Sequence, residues 1–115
     1  MRISGWQEKL PWQPLFEGVD IYRLYDTGPD GPRAALLRYH PGSRVPSHEH
    51  TGYEHIFVLD GEQSDQSGSA ATGTLTINPP GTSHGIFSET GCIVLAIYER
   101  PVKFLNLGSQ DPRAP

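Results

Sequence analysis

Short runs of alternating apolar and polar residues, each cut off by glycine or proline, recur along this 115-residue chain. Residues 19–25, Val19-Asp20-Ile21-Tyr22-Arg23-Leu24-Tyr25, alternate with the period of a half-buried strand. The segment from Asp26 to Pro32 is crowded with breakers and predicts a turn. Residues 34–40 form the next predicted strand, closed by Pro41-Gly42. Extended segments at 47–50 and 53–59 follow, with a turn expected at Asp60-Gly61. Thr74-Leu75-Thr76-Ile77 is a short strand stopped by Pro79-Pro80, residues 85–87 read as extended, and residues 92–99 make the clearest late strand. Pro11 and Pro14 interrupt any N-terminal helix. Even spacing of short strands predicts an all-β sandwich or barrel, and a double-sheet jelly roll fits.

Composition supports that outline. Thirteen glycines and eleven prolines are scattered along the chain, as many turns require. The length suits one domain with a single core. The expected layout is a barrel over 19–105, an N-terminal arm over 1–18 and a loose tail over 106–115. Mean hydropathy is −0.45, and no segment approaches a membrane span. The start, Met1 to Trp6, lacks the apolar stretch of a signal peptide, and the lone Cys92 has no internal disulfide partner. Both point to the cytoplasm. A net charge of −4 without a basic cluster argues against nucleic-acid and anionic-membrane partners.

The chemistry is concentrated in two blocks. In the first, His48 and His50 stand two apart on an extended segment and so share a face, and Glu54 keeps that parity in the following strand. The second ends at His84, some thirty residues on, so only a folded barrel would bring it to the others. Three imidazoles and a carboxylate suit one divalent transition metal ion, and without a thiolate the set tolerates zinc, iron, nickel or manganese.

Both blocks are bracketed by glycines and prolines: Gly42, His48, His50, Glu54 and Gly61 in the first, and Gly73, Pro79, Gly81 and His84 in the second. With these spacings the chain resembles the cupin superfamily, whose two motifs read G-x5-H-x-H-x3-E-x6-G and G-x5-P-x-G-x2-H-x3-N. Ser88 replaces the final Asn, which is not a ligand. The runs Pro41-Gly42-Ser43, Val58-Leu59-Asp60-Gly61-Glu62 and Asp65-Gln66-Ser67-Gly68, with Gly91-Cys92, are similar to the cupin domain of ChrR-type anti-sigma factors. The resemblance implies an RmlC-like double-stranded β-helix, or jelly-roll barrel, over residues 1–115. It also implies metal ligation by His48, His50, Glu54 and His84, a small molecule bound in the barrel, and a homodimer.

Two function classes follow. As an enzyme, the chain would resemble small single-domain cupin dioxygenases. As a sensing or binding module, it would resemble the ChrR cupin domain. The complete ligand set, without an attached effector domain, favours the enzyme. No second acid–base pair identifies a reaction, because Glu49 should face away from the metal.

Other residues carry narrower expectations. His55 has the opposite parity to Glu54 and should point outward, while His40 is left unassigned with a supporting role in reserve. Cys92 reads as a small buried hydrophobe rather than an extra soft ligand. Trp6 and Trp12 read as anchors for the N-terminal arm, which would cover an exposed strand edge. Arg38 and Tyr39 cannot both face the cavity. Gly42 and Gly61 are expected to close turns, and Pro79-Pro80-Gly81 to stiffen the loop before His84.

Overall fold

A computed structural model of the chain describes residues 1–6 and 9–105. The expected loose tail over 106–115 lies outside the described residues. Ten strands and no helix make up the described chain: β1 (Gln13–Phe16), β2 (Val19–Asp26), β3 (Arg33–Tyr39), β4 (Ser43–Glu49), β5 (Glu54–Asp65), β6 (Gly68–Ala71), β7 (Leu75–Asn78), β8 (Ser83–Ser88), β9 (Cys92–Tyr98) and β10 (Lys103–Phe104). Every pairing is antiparallel, in the order β1-β2-β3-β9-β5-β8-β4-β10, with β6 and β7 also paired to β5.

β5 joins the two layers. Its first half pairs with β9 and β7, and its second half with β6 and β8. The sheet therefore curls on itself as an all-β jelly-roll half-barrel, and its inner faces close over one core. Val19, Ile21, Val58, Val94 and Ala96 lie at its centre, each at most 1 % exposed. Burying such side chains contributes about 1.5–3 kcal/mol for each large one.

The predicted strands at 19–25, 34–40, 74–77 and 92–99 correspond to β2, β3, β7 and β9. The expected turn at Asp60-Gly61 is absent. β5 instead continues to Asp65 through a bulge, where its register against β9 shifts between Val58 and Asp60. Gly61 has φ +87°, and a Cβ there would collide with the Gly91 carbonyl oxygen. A glycine in this setting re-aims a strand rather than ending it. Gly42, with φ +81°, does occupy the turn into β4.

Three more strands were not legible in the sequence. β1 forms within the expected N-terminal arm and pairs with β2. β6 forms in the Ser/Gly/Ala stretch, where side chains carry little pattern, and β10 is too short to signal itself. Trp12, just before β1, lies against the barrel, with the Arg38 guanidinium 4.7 Å from its ring centre.

Candidate metal centre

The site sits where β4, β5 and β8 converge. His48 closes β4, His50 follows it directly, Glu54 opens β5 and His84 lies near the start of β8. Each of the four is at most 7 % exposed. One ligand atom from each can be chosen so that all four lie within 4.8 Å of one another, and together they could hold a metal ion.

Strand register produces this convergence. His48 on β4 is paired with His84 on β8, so their Cβ atoms project from adjacent strands onto one face. An irregularity between Val45 and His48 resets β4, which lets both Val45 and His48 turn inward. His50 is gripped by the loop after the two prolines: its N–H donates to Thr82 O, and the Gly81 N–H donates back to His50 O, both at 2.8 Å.

Each imidazole is braced on its far side, and the Glu54 carboxylate is held by Asn78. His48 Nδ1 lies 2.9 Å from Pro46 O, His50 Nδ1 2.9 Å from Thr82 Oγ1, and His84 Nδ1 2.9 Å from Asp65 Oδ2. Asn78 Nδ2 donates to Glu54 Oε1 at 3.0 Å. With each Nδ1 engaged, Nε2 is the ring nitrogen directed inward. This pattern of outer partners orients imidazoles for metal binding.

The inward atoms lack matching partners within the protein. Nε2 of His50 and of His84 are buried and make no hydrogen bond. His50 Nε2 comes within 3.0 Å of Glu54 Oε1, but it is not aligned to donate to it. Two orphaned imidazole nitrogens beside a buried carboxylate match the donor set of a divalent transition metal. Burial also pushes the His48 imidazole down to about 4, because the low-dielectric surroundings disfavour its charged form. At neutral pH it is therefore a free base, as a metal ligand must be.

Below the ligands the barrel is nearly full. Tyr39, Tyr98, Ile56, Gln63, His48 and Glu54 border an interior void of about 20 Å³, room for a single water. Burial raises both tyrosine hydroxyls, and the Glu54 charge adds to the effect, so both phenols stay protonated. A pocket of about 230 Å³ also reaches Ile56, Gln63 and His84, between the β5–β6 hairpin, β7 and β8. Its floor includes the buried Ile56, Gln63 and His84, and its rim the exposed Ser67, Ser69 and Thr74.

The remaining candidates fall away from the ligands. His55 pairs across to Ile77 and Ile97 on the outer face, as parity requires. Glu49 is half-buried between its two buried histidine neighbours. His40 binds Asp20 Oδ2 through Nε2 at 2.9 Å, and Arg38 donates to the same oxygen at 2.8 Å. Burial raises the Asp20 carboxyl, but these two partners more than offset it and hold it below its usual 3.8. Arg38 is thus the outward member of its pair, and Tyr39 faces the interior. Cys92 is a buried free thiol, pushed up to about 11 by burial, and is not among the grouped ligands. Ser88 is fully buried, and its hydroxyl donates to Glu62 O at 2.5 Å, tying β8 to β5.

Three supporting residues were missed in the sequence, Asp65, Asn78 and Thr82, as was Gln63 in the pocket wall. Asn78 meets Glu54 only through the β5–β7 register. Asp65 and Gln63 lie beyond the β5 bulge, where extrapolated parity fails. Thr82 had a usable signal, since it stands between the proline pair and His84.

The model of the ChrR cupin-like domain matches residues 2–102. This chain belongs to that family. Over 100 residues it is 33 % identical to the anti-sigma-E factor ChrR of Cereibacter sphaeroides, an alignment covering 84 % of this chain and 46 % of that protein. The chain thus spans about half the length of the curated relative it matches. The crystal structure of Rhodobacter sphaeroides SigE in complex with the anti-sigma ChrR is similar at TM-score 0.72 and 31 % identity, covering 80 % of this chain and 51 % of the other. An acetylacetone dioxygenase from Acinetobacter johnsonii superposes at TM-score 0.80 over 100 % of this chain and 83 % of the other. Its 17 % identity makes that likeness one of fold. Among the described residues no helix is long and apolar enough to cross a membrane.

Proposed function

We propose that this cupin domain binds one divalent transition metal ion through His48, His50, Glu54 and His84. We further propose that it acts as a dioxygenase-like enzyme on a small organic molecule entering beside His84. The observation that carries the reading is that His84, with an orphaned Nε2, forms part of the floor of the 230 Å³ pocket. A small molecule seated there would lie against the His84 side chain.

The protein's own contribution is positioning. Pro46, Thr82 and Asp65 fix the three imidazoles, and Asn78 fixes the Glu54 carboxylate. Ile56 and the packed interior exclude bulk water from below. A bound ion would supply Lewis acidity or, as iron, dioxygen chemistry. Asp65, the acidic residue lining the pocket, is engaged by His84 and by the Ser67 N–H, so the pocket walls offer no free carboxylate for proton transfer.

A second reading has its own support. The 33 % identity to an anti-sigma factor favours a sensing module in which ion or ligand occupancy alters a protein-binding surface. For either reading the proposed partner is a second copy of the chain, and the proposed location is the cytoplasm, consistent with a buried free thiol.

Metal analysis of freshly purified protein, beside His48→Ala and His84→Ala, tests the site. Near one equivalent in the parent and little in the variants is expected. Oxygen uptake after Fe(II) loading, with small diketones, thiols and phenols, then separates the readings. Uptake supports the enzyme, whereas tightly held zinc without uptake supports the sensor. No metal under any loading condition would remove the ligand assignment.

A further inference from the structure

Gln63 is 8 % exposed, and its Nε2 is buried without a hydrogen-bond partner. An unpaired amide donor in the interior is costly, and native proteins leave few of them. Tyr39 and Gln63 border the same interior void, so the phenol lies on the barrel side of the carboxamide. The same residue lines both the interior void and the pocket that reaches His84. It stands in the wall between them.

We propose that Gln63 is a ligand-anchoring residue, its amide N–H donating to an oxygen of a small, oxygen-rich molecule seated in the pocket against His84. The proposal rests on the metal-site reading above and specifies what the site accepts. The pocket walls set the ligand class. No lysine or arginine lines the pocket, so nothing there neutralises a doubly charged anion. Its one acidic residue, Asp65, is already engaged, so a cation finds no free counter-charge. Exposed hydroxyls of Ser67, Ser69 and Thr74 at the rim suit further oxygens on the ligand. At about 230 Å³ the space lies below the roughly 300 Å³ at which pockets for larger ligands begin. The fitting class is a compact hydroxy-carbonyl compound, uncharged or singly anionic, with one oxygen towards the ion and another accepting from Gln63.

The test uses the whole chain loaded with Co(II), whose visible absorption reports ligand entry, and two probes. Acetohydroxamate carries two oxygens, whereas azide can bind an ion without reaching Gln63. Gln63→Met keeps the volume and removes the donor, and Gln63→Glu replaces the donor with an acceptor. The expected result is a Kd for acetohydroxamate at least tenfold weaker in both variants, with Co(II) content unchanged in both and azide affinity unchanged in Gln63→Met, which adds no charge. An acetohydroxamate Kd within twofold of the parent, or an equal loss for azide in Gln63→Met, would overturn the anchoring role. Cobalt bound by the parent without any acetohydroxamate binding would overturn it too, while leaving the metal site standing. A parent chain that takes up no cobalt would overturn both.

Discussion

His48 and His84 are thirty-six positions apart in sequence and directly opposite one another across β4 and β8, with ring centres 4.8 Å apart and ring planes at 79°. That single register pair decides whether the four candidate ligands can meet. A slip of one residue would turn one imidazole to the outside. The edge-on packing of His84 against both His48 and His50 leaves three imidazoles gathered on one face.

Asp65 braces His84 from behind, so its removal should loosen the site without emptying the core. Asp65→Asn is expected to weaken metal affinity by about 10–100-fold, as loss of an outer partner typically does. Competition against a chromophoric chelator measures this, and thermal unfolding of the metal-free variant should stay close to the parent. Unchanged affinity would mean that the carboxylate does not orient the ligand.

The metal-free domain should lose stability in weak acid. The His48 imidazole takes a proton near 6.5 when unfolded but only near 4 when folded, because burial opposes its charge. Between those values the unfolded chain binds more protons, so unfolding becomes easier as pH falls from 6.5 to 4. The His48 contribution to this loss is about 3 kcal/mol. Urea midpoints measured in chelator between pH 4 and 8 should show a plateau above about 7 and a decline below it. A flat profile from 8 to 4 would contradict a buried neutral His48.

Gly61 and Gly42 both have positive φ, but they differ in what surrounds them. Gly42→Ala meets nothing within 4 Å and should cost about 1–2 kcal/mol, the penalty of the left-handed backbone. Gly61→Ala adds the collision with Gly91 O and should cost clearly more, by about 2 kcal/mol. Equal urea midpoints for the two variants would show that the bulge relaxes around the added methyl.

Phe57, Leu75, Ile77 and Ile97 are exposed on the outer face of β5, β7 and β9, where cross-strand pairing sets Leu75 beside Phe57 and places Ile77 and Ile97 on either side of His55. Such a patch marks an interaction surface, and the proposed occupant is a second copy. Light scattering on the eluting protein should give twice the chain mass, and the Leu75→Glu/Ile77→Lys double variant should give the single-chain mass. A parent that elutes as a monomer at tens of micromolar would rule this assignment out.

Much of this molecule is written locally. Period-two runs over 19–25 and 92–99, punctuated by glycine and proline, specify strands because strand side chains alternate and breakers cannot continue a ladder. The same parity placed His48, His50 and Glu54 on one face and His55 on the other, whereas His84 joined them only through the resemblance to the cupin motifs. These readings needed only neighbours in sequence. Tertiary structure decided the rest. The β5 bulge shifts the inward positions from Glu54, Ile56 and Val58 to Gln63, on a stretch of strand that the expected turn at Asp60-Gly61 had left out. Asn78 and Asp65 gained their roles through cross-strand contacts, to Glu54 and to His84, that no local pattern encodes. Tyr39 rather than Arg38 faces inward because Asp20 and Trp12 hold the guanidinium on the outer face. Local pattern sets which residues can share a face, whereas register and bulges set which faces meet. The pocket beside His84 exists only once they do.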